Sequence, residues 1–146
     1  MNMVQVYIKG QEDKELSSFL RYYPVRIKNI GMDAFFDRQV IYDFKDGRNH
    51  ADVAKCVAKM LIKVVGERTA VHGTKVKKDE REKRLKEKNN IEVDANFFKN
   101  KIVCIWDDVV TTGTSFCAYT VQLEQVGAHV TNGIFLGKTS YKYVQQ

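Results

Sequence analysis

Cysteine, histidine and long apolar runs are scarce in this 146-residue chain. Its three cysteines, Cys56, Cys104 and Cys117, form no Cys-x-x-Cys pair, and an odd number does not suit a disulfide framework. Cys56 and Cys104 fall on apolar stretches and read as buried thiols, not ligands or nucleophiles. The three histidines, His50, His72 and His129, share no metal-ligand spacing. No run approaches the roughly 18–20 apolar residues needed to span a bilayer, and the first residues lack a charged-then-apolar signal pattern. No membrane association and a cytoplasmic location are therefore expected. Neither a repeat nor a low-complexity linker divides the sequence, so residues 1–146 are expected to form a single domain with its own core.

Charge is present, but unevenly. The net charge of +6 would suggest a nucleic-acid partner if it covered one face. Instead, Lys75–Lys88 holds eight basic and four acidic residues, and the rest of the chain is nearly neutral. Across Lys77–Asn90, Asp79/Lys83, Glu80/Arg84 and Glu82/Lys86 place acid before base at helical spacing. Leu85 is the one apolar side chain past Val76 in that tract, so it reads as a solvated helix or a loop without a core face.

Hydrophobic periodicity gives the other elements. Met3–Ile8 alternates as a strand, with Val4, Val6 and Ile8 on one side. Glu12–Tyr22 reads as a short helix with Leu16, Phe19 and Leu20 on one stripe, ended by Pro24. In residues 33–44 the pattern is mixed, and Val40–Phe44 reads as a strand before the Asp46-Gly47 turn. Ala54, Val57, Ala58, Leu61, Ile62 and Val65 form the apolar face of a helix, with Asn49 as N-cap and Gly66 as C-cap. Ile102–Trp106 is a continuous apolar run of the kind found in a central strand covered on both faces. Ala118–Val126 reads as a helix stopped by Gly127, and Val130–Leu136 as a further strand. Strand, loop, helix and strand make a βαβ unit with a parallel sheet, and the fold class is α/β.

The loop inside that unit carries the chemistry. It runs Asp107-Asp108-Val109-Val110-Thr111-Thr112-Gly113-Thr114-Ser115 and leaves the carboxyl end of a strand, where open α/β sheets bind ligands. It then enters a helix N-terminus, whose unpaired N–H groups attract an anion. Gly113 allows close backbone approach to a phosphate, and Thr111, Thr112, Thr114 and Ser115 add hydroxyl donors. The cradle contains no Lys or Arg of its own. Asp107 and Asp108 stand just before it as acceptors for sugar hydroxyls. Phosphate donors beside hydroxyl acceptors describe a reader of ribose 5-phosphate.

The string IVCIWDDVVTTGTS resembles the phosphoribosyl-pyrophosphate (PRPP) motif of type I phosphoribosyltransferases. Over Lys101–Leu136 the chain is similar to their ComF-like branch, including Lys101 and the helix end at Gly127-Ala128. The resemblance implies a Rossmann-like parallel sheet of the type I phosphoribosyltransferase fold. It assigns Asp107 and Asp108 to the ribose 2′- and 3′-hydroxyls, and Val109, Val110 and Thr111–Ser115 to the 5′-phosphate. It also implies Mg²⁺, held mainly by the oxygens of PRPP. A homodimer is compatible with the family. Ile41–Leu61 is more weakly similar to the branch, and there Lys45 and Arg48 would face the pyrophosphate side; as plain surface charges they would flank a turn. Two competing motifs fail: Val109 breaks an Asp-x-Asp nucleophile motif, and no Gly-Lys-Thr/Ser string follows Gly113.

One part of the family pattern is missing. The pyrophosphate loop should follow a strand after the first long helix. Only Glu67–Gly73 lies between that helix and the charged tract, with Thr69–His72 as a vestige at most. A core strand, loop and helix look deleted near Gly66–Val71. The resemblance thus implies a protein that binds PRPP or a nucleoside 5′-monophosphate. It would transfer, or descend from proteins that transfer, ribose 5-phosphate to a nitrogen nucleophile with release of pyrophosphate. No residue stands out as a general base, and the acceptor is unassigned. The alternatives are a non-catalytic nucleotide-binding regulator, contacting nucleic acid through Lys75–Lys88, and a protein-interaction domain with a decayed site.

Overall fold

Six consecutive residues, Asn132–Gly137, are buried in one strand, and the sheet is built around it. The structure, a computed structural model, describes residues 3–65 and 93–144. Its strands are β1 (Val4–Gln5), β2 (Glu15–Tyr22), β3 (Ile102–Val110) and β4 (His129–Thr139), in the spatial order β1-β2-β4-β3. Its helices are α1 (Met32–Lys45), α2 (His50–Val65), α3 (Ala95–Phe98) and α4 (Thr114–Gln125). β2, β4 and β3 run parallel, and β1 pairs antiparallel with β2. The class is α/β, with a mixed, mostly parallel sheet where a purely parallel one was expected.

The βαβ unit forms as its pattern predicts: β3, α4 and β4 follow in turn, and Gly127 at φ +91° ends the helix. The helix begins earlier than expected, at Thr114 rather than Ala118. The central position, however, belongs to β4, while β3 lies at the edge of the sheet among the described residues. An apolar run signals burial but does not say which strand lies beside it. The glycine in VTNGIFL dilutes the hydrophobic signal and is there for packing. A Cβ on Gly133 would stand 2.7 Å from Phe116 Cε2 and 2.8 Å from Leu16 Cδ2.

Two assignments in the amino-terminal half are reversed. Glu12–Tyr22 was expected as a helix, yet Glu15–Tyr22 is strand β2, paired with β4 from Glu15↔Asn132 to Tyr22↔Thr139. Leu16, Phe19 and Leu20 satisfy helical spacing, but they also suit a strand buried on both faces, and pairing on both sides decides the matter. Leu16 joins the cluster with Phe116 and Leu123 of α4, whereas Phe19 and Leu20 join Ile41 of α1 with Val53 and Val57 of α2. Conversely, Val40–Phe44, expected as a strand, is the last part of helix α1. Its buried residues, Ala34 and Ile41, keep helical spacing, which the exposed Phe35 and Phe36 obscure.

Smaller departures have local causes. Only Val4 and Gln5 of Met3–Ile8 form a ladder; Val6 and Ile8 are buried, but Val4 is exposed. On α2 the buried stripe is Val53 and Val57, with Ala54 and Ala58 exposed. Asn49 precedes that helix at φ +56°, and its side-chain amide donates to Asp43 Oδ2 at 3.3 Å. Cys56 and Cys104 are half-buried rather than fully enclosed. Gly66, the Glu67–Gly73 interval and the charged tracts Lys75–Lys88 and Lys77–Asn90 lie outside the described residues. Among the described residues, no helix is long and apolar enough to cross a membrane.

Candidate functional site

Strand β3 carries both aspartates within its ladder and ends only at Val110, so the connecting loop is residues 111–113. That is shorter than the loop expected from Asp107 onward. Gly113 ends it at φ +87° and serves as the N-cap of α4. The left-handed backbone favours glycine, and a Cβ would also meet Ile8 Cγ2 at 2.6 Å. The first helical bond runs from Cys117 N to Gly113 O at 2.9 Å. The N–H groups of Thr114, Ser115 and Phe116 therefore point out of the helix start without an intrahelical acceptor.

These three residues also line a cleft of about 290 Å³, together with Asp107, residues 109–113 and Phe135. Asp107 and the expected phosphate residues Val109–Ser115 thus come together. Asp108 is not among the lining residues, because successive side chains of a strand project to opposite sides. Its Oδ1 accepts from Val109 N at 2.7 Å, and its Oδ2 lies 3.6 Å from Lys45 Nζ. Asp107 Oδ1 accepts from Asp108 N at 2.8 Å.

The two cations expected on the pyrophosphate side separate. Lys45, from the last turn of α1, reaches Asp108 and lies 5.8 Å from the Tyr22 ring centre. Burial, then a hydrogen bond with Tyr42, pushes the Tyr22 phenol up to about 12; the nearby Asp108 charge adds to this. Arg48 instead pairs with Asp43 at 2.8 Å and Asp46 at 3.1 Å, and its side chain is 61% exposed. It caps the end of α1 electrostatically.

The hydroxyls also divide. Thr112 Oγ1 and Thr114 Oγ1 are hydrogen-bonded at 2.9 Å across the loop. Thr111 Oγ1 is bonded instead to Thr139 Oγ1 of β4 at 2.8 Å, which ties the loop to the sheet. Beside it stands a residue that sequence reasoning missed: Lys138, whose Nζ donates to the Thr111 carbonyl at 2.6 Å. The loop, which has no Lys or Arg of its own, is thus held by a lysine from the neighbouring strand. Partial burial pushes the Lys138 pKa below the ordinary lysine value. The available signal was register: Lys138 pairs with Val110, the last residue before the loop.

The cleft therefore combines the N–H donors of a helix start with a carboxylate acceptor. Such a set holds an anion and, next to it, a hydroxyl-bearing group. Comparison with protein-family models, with curated proteins and with solved structures returned no match.

Proposed function

We propose that this chain binds a ribose 5-phosphate group, as PRPP or a nucleoside 5′-monophosphate, in the manner of a type I phosphoribosyltransferase fold. The observation that carries the reading is that the α4 N-terminus and Asp107 share one cleft of about 290 Å³. A phosphate would take the N–H groups of residues 114–116 and the Thr112, Thr114 and Ser115 hydroxyls. Asp107 would accept from a ribose hydroxyl. Asp108 lies outside the cleft lining, where Lys45 pairs with it, so Asp107 alone would reach the ring from this strand.

Magnesium fits this donor set only as a companion of PRPP. Among the described residues no group of three His, Cys, Asp or Glu side chains converges on a metal. Mg²⁺ is commonly held by one or two carboxylates together with substrate phosphates, and Asp107 is the carboxylate that the cleft offers. Bound there, the ion would neutralise charge on the leaving pyrophosphate. The chain's own part in transfer to a nitrogen nucleophile would be positioning: the loop would fix the 5′-phosphate and Asp107 the ring. Transfer further needs a pyrophosphate loop, whose expected place after α2 lies outside the described residues.

Calorimetric titration with ribose 5-phosphate, AMP and unphosphorylated ribose tests the reading. Ribose 5-phosphate and AMP bind, and ribose does not. Replacing both Thr112 and Ser115 by Val deletes two donors to a charged group, about 1.5–3 kcal/mol each, and abolishes measurable binding. Unchanged affinity in that double variant would sink the assignment.

A further inference from the structure

In a trans peptide the C=O and N–H bonds point in opposite directions, so whatever holds one also aims the other. The peptide joining Thr111 to Thr112 is trans, and its carbonyl accepts from Lys138 Nζ at 2.6 Å. Thr111 and Thr112 line the cleft, whereas Lys138 does not. The adjacent residue of β4, Thr139, binds the Thr111 hydroxyl at 2.8 Å. Two successive residues of the central strand thus draw the carbonyl and side chain of Thr111 toward the sheet. The N–H of Thr112 is turned the other way.

We propose that Lys138 is a positioning residue, which sets the 111–112 peptide so that the Thr112 N–H faces the anion before any ligand arrives. The proposal rests on the phosphate-cleft reading given above. Without the ammonium, the Thr111 carbonyl loses a charge-assisted bond and is free to rotate into the cleft. Its oxygen would then face the phosphate, with repulsion in place of a donated hydrogen bond. Lys138 is held to this partner because its ammonium has given up part of its hydration, which the carbonyl replaces.

The test uses ribose 5-phosphate titrated into the unaltered chain, Lys138→Met and Lys138→Arg, with the amide resonance of Thr112 followed by NMR. Lys138→Met is expected to bind about tenfold or more weakly, the worth of one charge-assisted hydrogen bond. Lys138→Arg restores most of the loss, and the Thr112 amide of the unliganded Met variant is displaced. A purely electrostatic role is separated by salt, because screening shortens to about 3 Å at 1 M. The difference between Met variant and unaltered chain persists there if Lys138 acts through the peptide. Equal affinity of the two, or a difference that vanishes in high salt, overturns the proposal. If Lys138→Met does not fold, the unaltered chain still decides: its Thr112 amide must shift on adding ribose 5-phosphate, and an unmoved resonance refutes the idea. Binding lost in the Thr112/Ser115 double variant but kept in Lys138→Met defeats the role of Lys138 alone. No binding by the unaltered chain defeats the cleft reading and this proposal together.

Discussion

The end of β3 has two flanks with different electrostatic designs. On the α4 flank, Asp107 borders an open cleft and the N–H groups of a helix start. On the α1 flank, Asp108 meets the Lys45 ammonium at 3.6 Å, with the Tyr22 and Tyr42 rings 6.1 Å apart nearby. One flank keeps room and donors for a ligand; the other is filled with the chain's own cation and aromatics. Two identical neighbours in sequence therefore acquire different work, because a strand sends them in opposite directions.

The strongest way to break this contrast is at Gly113. Gly113→Ala places a Cβ against Ile8 in a left-handed backbone, and the two effects together should cost about 2–4 kcal/mol of stability. Denaturant unfolding measures it. Ribose 5-phosphate binding should fall with it, since the turn that aims the first N–H groups is distorted. A variant as stable as the parent would mean that the turn is not held as described.

The aspartates test the contrast directly. Asp107→Asn should cost roughly 1.5–3 kcal/mol of ribose 5-phosphate affinity by calorimetry, with little loss for 2,3-dideoxyribose 5-phosphate. Asp108→Asn should cost less, because Asp108 lies outside the cleft lining and pairs with Lys45, and partly exposed ion pairs are worth about 0.2–1 kcal/mol. Equal losses for both variants would erase the distinction between the flanks.

The smallest effect is confined to alkaline pH. The Tyr22 phenol, ordinarily near 10.0, is raised to about 12, chiefly by burial. A raised pKa means that the fold favours the neutral phenol. That contribution is whole below pH 10 and is lost as pH rises through 12. Tyr22→Phe should therefore lose stability less steeply across that window, as read by unfolding at successive pH values. Parallel curves would place Tyr22 outside the packed α1 flank.

How legible these regions were in the sequence follows from the range of the forces involved. Ile102–Leu136 was readable because a run of apolar residues, a threonine-glycine turn and a helix stop at Gly127 are local signals. Glu15–Tyr22 was not, since Leu16, Phe19 and Leu20 suit either period, and pairing with β4 across more than a hundred residues made them a strand. Val40–Phe44 misled for the converse reason: its β-branched and aromatic residues favour strands, while packing of Ile41 against the sheet favours α1.

The order of residues alone placed an acidic pair, a hydroxyl-rich turn and a helix start next to one another, because adjacency along the chain brings those groups within a few residues. It could not say that Asp107 and Asp108 part company, that Lys45 arrives from α1 and Arg48 does not, or that Lys138 holds the Thr111 carbonyl. Those outcomes depend on strand register and on where α1 ends, which hydrophobic packing on the two faces of the sheet sets at long range.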